Sequence, residues 1–186
     1  MTFTPTELET SLHARTVVRV SQGRPASVLI PLLFLADDIS VLFMKRPDDA
    51  SRHSGQVSFP GGKREESDKS DADTALREAF EELGIERARV QILGELDGMF
   101  TVTDFNITPV VGALREMPAI TPSSAEVADW FWVSLKQLSD ESLWRHEQLP
   151  WRGELHDTWF FDGGKHLIWG ATARILRDLL DVIRRI

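Results

Sequence analysis

Apolar positions change their spacing several times along this chain, and each change marks an element. Residues 27–35 are almost continuously apolar, and residues 39–45 repeat that composition after the polar Ala36-Asp37-Asp38 step. Two strands joined as a hairpin are predicted. Further on the spacing lengthens: Ala72, Ala75, Leu76, Ala79, Phe80 and Leu83 recur every three or four residues, with Ser70 or Asp71 placed to cap and Gly84 to terminate. That pattern predicts a helix with one apolar stripe. Residues 5–15 read as a short helix, and 89–96, 107–114 and 127–133 have strand composition. Residues 158–161 and 166–169 predict a second hairpin around Asp162-Gly163-Gly164. A final helix carries Ala173, Leu176, Leu180 and Ile183 on one face, with Arg174, Arg177, Asp178 and Asp181 elsewhere, as packing on a sheet requires. Between the first hairpin and the first long helix lie a polar loop, 46–55, and Phe59-Pro60-Gly61-Gly62. There proline stops regular pairing and glycines permit backbone angles closed to other residues, so a special loop is expected.

Helices and strands are mixed, with no internal repeat or Gly/Ser linker, so a single α/β domain over residues 1–186 is expected. With 42% hydrophobic and 27% charged residues the chain can bury a sizeable core. Its longest apolar run, 28–36, is interrupted by Pro31 and falls well short of the roughly 20 residues that cross a bilayer. The start lacks a signal-peptide pattern and the last residues are not a peroxisomal tripeptide, so a cytoplasmic protein without membrane attachment is expected. With no cysteine, any metal must be held by oxygen or imidazole. A net charge of −8 and a pI near 5.1 argue against a nucleic-acid binder. A small anionic ligand, handled through intervening cations, suits this charge, and the sequence leaves a homodimer open.

The candidate chemistry lies in Arg77-Glu78-Ala79-Phe80-Glu81-Glu82-Leu83-Gly84-Ile85. A helix sets Glu78 and Glu82 one turn apart on one side, with Glu81 adjacent, roughly opposite the apolar stripe. Like charges at this spacing destabilise a helix by roughly 0.2–0.5 kcal/mol per pair. A solvated acidic face tolerates that cost. Alternatively the carboxylates form a platform for a hard cation such as Mg²⁺, with Glu78 and Glu82 as first-choice ligands. Context favours the platform, because Gly62 and the offsets within the helix resemble the Nudix box, G-x5-E-x7-R-E-U-x-E-E-x-G-U. The second half matches from Arg77 through Ile85. In the first half Gly62 precedes Arg77 by fifteen residues rather than fourteen, and Asp68 stands where glutamate is expected, as if the loop had gained one residue.

This resemblance implies a Nudix-type α/β/α sandwich with a mixed central sheet and a metal-dependent hydrolase of a phosphoanhydride. It implies Mg²⁺ or Mn²⁺ on Glu78 and Glu82, with the Gly62 carbonyl as a further ligand and Glu81 binding another ion or orienting water. Bound ions would neutralise a diphosphate and acidify the attacking water. Arg77 would orient a glutamate. Glu126, before the 127–133 strand, is the candidate for a carboxylate base or ligand outside the helix.

A finer resemblance, to the coenzyme A pyrophosphatase branch, rests on Leu42, Arg46, Gly55 and Phe59-Pro60-Gly61-Gly62, on Thr74-Ala75-Leu76-Arg77-Glu78, and on Ile168-Trp169-Gly170-Ala171-Thr172-Ala173. Phe43, Met44, Pro47 and Ser51 depart from that pattern, and Arg52 is displaced by one position. The resemblance implies cleavage of coenzyme A to 3',5'-ADP and 4'-phosphopantetheine. Lys45, Arg46, Arg52, His53, Lys63 and Arg64 form a basic set suited to clamping its phosphates, Arg46, Arg52, His53, Lys63 and Arg64 being the candidate substrate binders. The alternatives are hydrolysis of ADP-ribose, NADH or other nucleoside diphosphate derivatives, and a nucleotide sensor without turnover. Six tryptophans crowd the C-terminal half, suited mainly to core packing or an interface, with base stacking as the rarer use.

Overall fold

The computed structural model describes residues 3–36, 38–48, 55–151 and 153–186. Its elements are α1 (Pro5–His13), β1 (Arg24–Phe34), β2 (Ile39–Lys45), β3 (Val57–Ser58), β4 (Gly61–Lys63), α2 (Asp71–Leu83), β5 (Gln91–Glu95), β6 (Met99–Phe100), β7 (Phe105–Leu114), β8 (Asp129–Ser134), α3 (Leu135–Leu138), β9 (Trp144–Trp151), β10 (Glu154–Phe161), β11 (Ile168–Trp169) and α4 (Gly170–Ile183).

The larger sheet runs β3-β2-β1-β7-β5, with β8 also on β2, β4 on β1 and β6 on β7. β1 and β7 are parallel from Arg24↔Phe105 to Leu33↔Leu114, whereas the other pairings are antiparallel, so the sheet is mixed. The predicted first hairpin is present, with Leu32 opposite Val41 and Phe34 opposite Ile39. Asp37 of its turn lies outside the described residues, as do residues 49–54 of the polar loop.

Alternation divides the core between the two faces. Leu29 and Leu33 of β1, Leu42 and Met44 of β2 and Val110 of β7 pack with Ala75, Leu76, Ala79 and Leu83 of α2. Ile30, Leu32, Val41, Phe43 and Val111 face the other way, onto Leu8 and Leu12 of α1 and Leu176, Leu179 and Leu180 of α4. β1 is therefore covered on both sides, which accounts for its unbroken apolar run. Helices on both faces make the expected α/β/α sandwich. A separate sheet, β11-β10-β9, stands beside it and contains the second predicted hairpin, Phe160↔Trp169 and Phe161↔Ile168.

Three expectations are corrected. The glycine segment is a short strand, since β4 pairs with Ala26, Ser27 and Val28 of β1. Its glycines serve close approach rather than unusual backbone angles. A Cβ on Gly61 would lie 2.5 Å from the Ser27 carbonyl oxygen and 2.7 Å from Val28 Cα. Second, Phe80 is 57% exposed, at the solvent margin of the stripe. Third, Glu82 is only 2% exposed, on the edge of the buried face and not opposite it. Ala75, Ala79 and Glu82 follow one another at four and three residues, so a helix seated on Ala75 and Ala79 carries Glu82 inward with them.

Candidate active site

α2 begins at Ser70, whose side chain accepts a hydrogen bond from Asp73 N, and ends at Gly84 in the left-handed conformation (φ 71°). These caps fix which residues of the helix meet β4. Glu82 Oε2 accepts a 2.8 Å hydrogen bond from Gly61 N. On its other oxygen the nearest cation is Arg46, with Nη2 3.6 Å from Oε1 and 3.4 Å from the Gly61 carbonyl oxygen. One turn earlier Glu78 lies against Gly62 so closely that a Cβ there would be 2.5 Å from its carboxyl carbon.

A loop hung from the end of α2 supplies the third carboxylate. Thr121 N donates to the Leu83 carbonyl and Ser123 N to the Glu82 carbonyl, while Ala128 N donates to the Lys45 carbonyl of β2. Glu126 lies between these anchors and lines the same cleft as Glu78 and Glu82. Burial pushes the Glu82 carboxyl up to about 8 against the pull of Arg46 and Gly61 N, and the charges of Glu78 and Glu126 add to the rise. Glu78 is also raised, first by burial and then by Glu81 and Glu126, with Arg77 opposing. These groups gain from a nearby positive charge that the chain supplies only in part.

Arg77 organises the other flank of α2. It donates from Nε and Nη2 to Asp68 at 3.1 Å, from Nη2 to the Lys63 carbonyl at 2.8 Å, and from Nη1 to Glu78 at 3.0 Å and Glu81 at 2.9 Å. Asp68 is 9% exposed and also accepts from Glu65 N and Thr74 Oγ1. The Arg77 guanidinium and these donors hold its carboxyl down at about 2, against the effect of burial. Asp68 thus locks Arg77, and Arg77 fixes Glu78. The displaced motif position hid this arrangement in the sequence, although an acidic residue ahead of an Arg-Glu helix was its visible signal.

The cleft has a volume of about 1650 Å³. Glu78, Glu82, Glu126, Gly62, Arg46 and Lys63 line it together. Glu81 is half-exposed beside Arg77 and is not among the lining residues. Arg64 reaches the Asp68 carbonyl oxygen at 3.3 Å and Asp71 at 3.8 Å, and lines a separate small cavity with Arg19 and Asp71. Lys45 pairs with Asp48 at 3.2 Å. Arg52 and His53 lie outside the described residues. The far wall of the cleft was not anticipated. Phe100 of β6, Trp151 at the end of β9 and Trp169 before α4 all face into it and are partly exposed.

Among the described residues no three His, Asp or Glu side chains converge as a finished ion cage would. The donor set still fits a hard divalent cation. Mg²⁺ is commonly held by one or two carboxylates with substrate phosphates and retained water, and here two raised carboxylates and a third nearby face an open cleft.

Comparison with known proteins agrees with this geometry. The NUDIX domain family matches residues 23–153. An uncharacterized Nudix hydrolase, NudL, of Photorhabdus laumondii subsp. laumondii is 36% identical over 87% of this chain and 86% of its own length. Nudix hydrolase 22, chloroplastic, of Arabidopsis thaliana is 40% identical over 82% of this chain, which spans about half (53%) of that relative. Among solved structures, a NUDIX hydrolase from Alicyclobacillus acidocaldarius superposes with a TM-score of 0.55 at 19% identity, covering 85% of this chain and 91% of that one. A C. elegans Ap4A hydrolase binary complex gives 0.52 at 19%, covering 60% and 80%, and both likenesses speak to the fold alone. With the family matched over most of its length and the box helix, glycine strand and facing carboxylates in place, the chain belongs to the Nudix hydrolases, which act on nucleoside diphosphate derivatives.

Proposed function

We propose that the chain cleaves the diphosphate of coenzyme A or its derivatives, giving 3',5'-ADP and 4'-phosphopantetheine. The observation that carries a diphosphate substrate is the juxtaposition, in one large cleft, of Glu78, Glu82 and Glu126 with Arg46 and Lys63. Support for coenzyme A comes from the order of Arg46, Gly55 and Phe59-Pro60-Gly61-Gly62, which resembles the coenzyme A pyrophosphatase pattern, and from a cleft of about 1650 Å³, room for a ligand larger than a nucleoside monophosphate.

In this reading Glu78, Glu82 and the Gly62 carbonyl are the ligands for Mg²⁺ or Mn²⁺. Held there, such an ion would supply charge neutralisation for the diphosphate and a lowered pKa for the attacking water. Arg46 and Lys63 orient the phosphates through charge-assisted hydrogen bonds. Glu126, on a loop and exposed, receives the proton of the attacking water. Arg77 holds Glu78 in place, and Glu81 accepts from the same Arg77 Nη1. Arg52 and His53 belong to the same basic segment and are assigned to the remaining phosphate.

Product release from coenzyme A, ADP-ribose, NADH and deoxynucleoside triphosphates with Mg²⁺ or Mn²⁺, compared between wild type and Glu82→Gln, tests the reading. Coenzyme A is expected to be turned over with the highest kcat/KM. A preference for ADP-ribose would replace the substrate, and nucleotide binding without cleavage under every metal condition would replace the enzyme with a sensor.

A further inference from the structure

The cleft has two chemically different ends. At the carboxylate end its lining cations are Arg46 and Lys63. Towards β10 and α4 the lining carboxylates already have partners: Asp157 is 3.4 Å from His146, Asp178 is paired with Arg174 at 3.3 Å, and Asp97 of the neighbouring loop with Arg15 at 3.1 Å. With these charges already paired, this second end has little to hold a phosphate. What it offers instead is aromatic surface, above all Trp169.

Trp169 is held from behind. Its indole stacks on Phe160 with ring centroids 6.1 Å apart and planes 10° apart, and the Arg145 guanidinium lies 4.2 Å from the Phe160 centroid. Main-chain pairing of Trp169 with Phe160 fixes the backbone as well. The side chain nevertheless remains 37% exposed and borders the cleft. An apolar ring already ordered by its neighbours loses little further freedom when a flat ligand covers it, which is the condition for a stacking platform.

The platform is also tied to the carboxylate end. Three residues after Trp169, Thr172 is buried and its Oγ1 donates a 3.0 Å hydrogen bond to the Val57 carbonyl of β3. From Val57 the chain passes through Phe59 and Pro60 to Gly61, whose N–H holds Glu82. One short stretch therefore sets the spacing between the aromatic surface and the carboxylates. Trp169 lies beyond residue 153, where the family match ends.

We infer that Trp169 is the stacking platform for the nucleobase of the substrate, its exposed indole suiting a two-ring base such as adenine over single-ring uracil. A purine covers more of an indole than a pyrimidine does and so stacks on it more strongly. This rests on the reading of the cleft as a nucleoside diphosphate site, but not on coenzyme A, because ADP-ribose carries the same base.

Calorimetric binding of ADP, UDP and pyrophosphate to the full chain with Mg²⁺ tests it, using wild type, Trp169→Leu and Trp169→Phe. Loss of a base-stacking ring is expected to weaken ADP by roughly 5- to 150-fold in Trp169→Leu, with Trp169→Phe recovering most of the affinity. Pyrophosphate, which has no base, should bind all three proteins alike, and wild type should prefer ADP to UDP. For whichever adenosine-containing substrate is hydrolysed, KM should rise far more than kcat falls. Unchanged ADP binding in Trp169→Leu, or equal losses for ADP and pyrophosphate, would overturn the platform, and a preference for UDP would overturn the base assignment. If Trp169→Leu melts early, the Trp169→Phe to wild-type ratio for ADP against pyrophosphate decides. Failure of wild type to hydrolyse coenzyme A would defeat the substrate proposal while leaving this result standing.

Discussion

Asp68 and Glu82 flank the same helix, both almost shut off from solvent, and their acidities move in opposite directions. Asp68 accepts from Arg77, Glu65 N and Thr74, and is held at about 2. Glu82 has one backbone donor and an arginine 3.6 Å away, and burial carries it to about 8. Asp68 is met by an arginine and two further donors, whereas Glu82 lies deeper with a single backbone donor, so the charge is settled on one side and unsettled on the other. The settled charge builds the helix flank, whereas the unsettled one is available for chemistry.

The strongest way to break this contrast is Glu82→Gln. Turnover should fall by more than about 100-fold, beyond the loss typical of a residue that only supports a metal ligand. Equilibrium unfolding in chelator gives the second reading of the same variant. A carboxyl whose folded pKa lies above its unfolded value stabilises at low pH and loses that contribution as pH rises. Wild type without metal should therefore weaken between pH 4.5 and 8, and Glu82→Gln should flatten that slope.

Next come the adjacent glycines. At Gly62 an added methyl meets only the end of the Glu78 side chain, so Gly62→Ala should keep its melting temperature within a few degrees while activity drops roughly 10- to 100-fold. At Gly61 the same methyl meets backbone of β1, and Gly61→Ala should cost about 1–3 kcal/mol in urea unfolding. Similar losses of stability in both would remove the distinction between a site glycine and a packing glycine.

Asp68→Asn should act more gently on turnover, by about tenfold through a loosened Arg77. Its diagnostic is acid unfolding. With a folded pKa held below the unfolded value, Asp68 stabilises above pH 3.8 and that contribution disappears as pH falls towards 2, so the variant should lose this part of the acid slope. Smallest of all, Phe80→Ser on the solvent margin of α2 should change stability by no more than about 0.5 kcal/mol in the same assay.

Legibility in the sequence followed the strength of each local signal. α2, α4 and both predicted hairpins announced themselves through period, caps and turn residues. β9 did not, because Arg145, His146, Glu147 and Gln148 are exposed and give no apolar alternation, and β3 and β6 are two residues long. The box helix identified Glu78 and Glu82, but not that Glu82 is buried, since an acidic residue at the edge of a stripe looks solvated until the packed face is known. The partners of Asp68 and the place of Trp169 in the same cleft as the carboxylates are long-range facts that spacing alone does not carry.

The ten-pair parallel ladder between β1 and β7 has a consequence for the order of assembly. Its two strands are separated by some seventy residues, which hold α2 and the glycine strand. Closing such a loop is slow compared with forming a hairpin or a helix. Early collapsed chains can contain α2 and the first hairpin without bringing β7 alongside. Recovery of hydrolysis during refolding should then lag behind recovery of helix signal, because the catalytic basin has walls only after this zipper shuts.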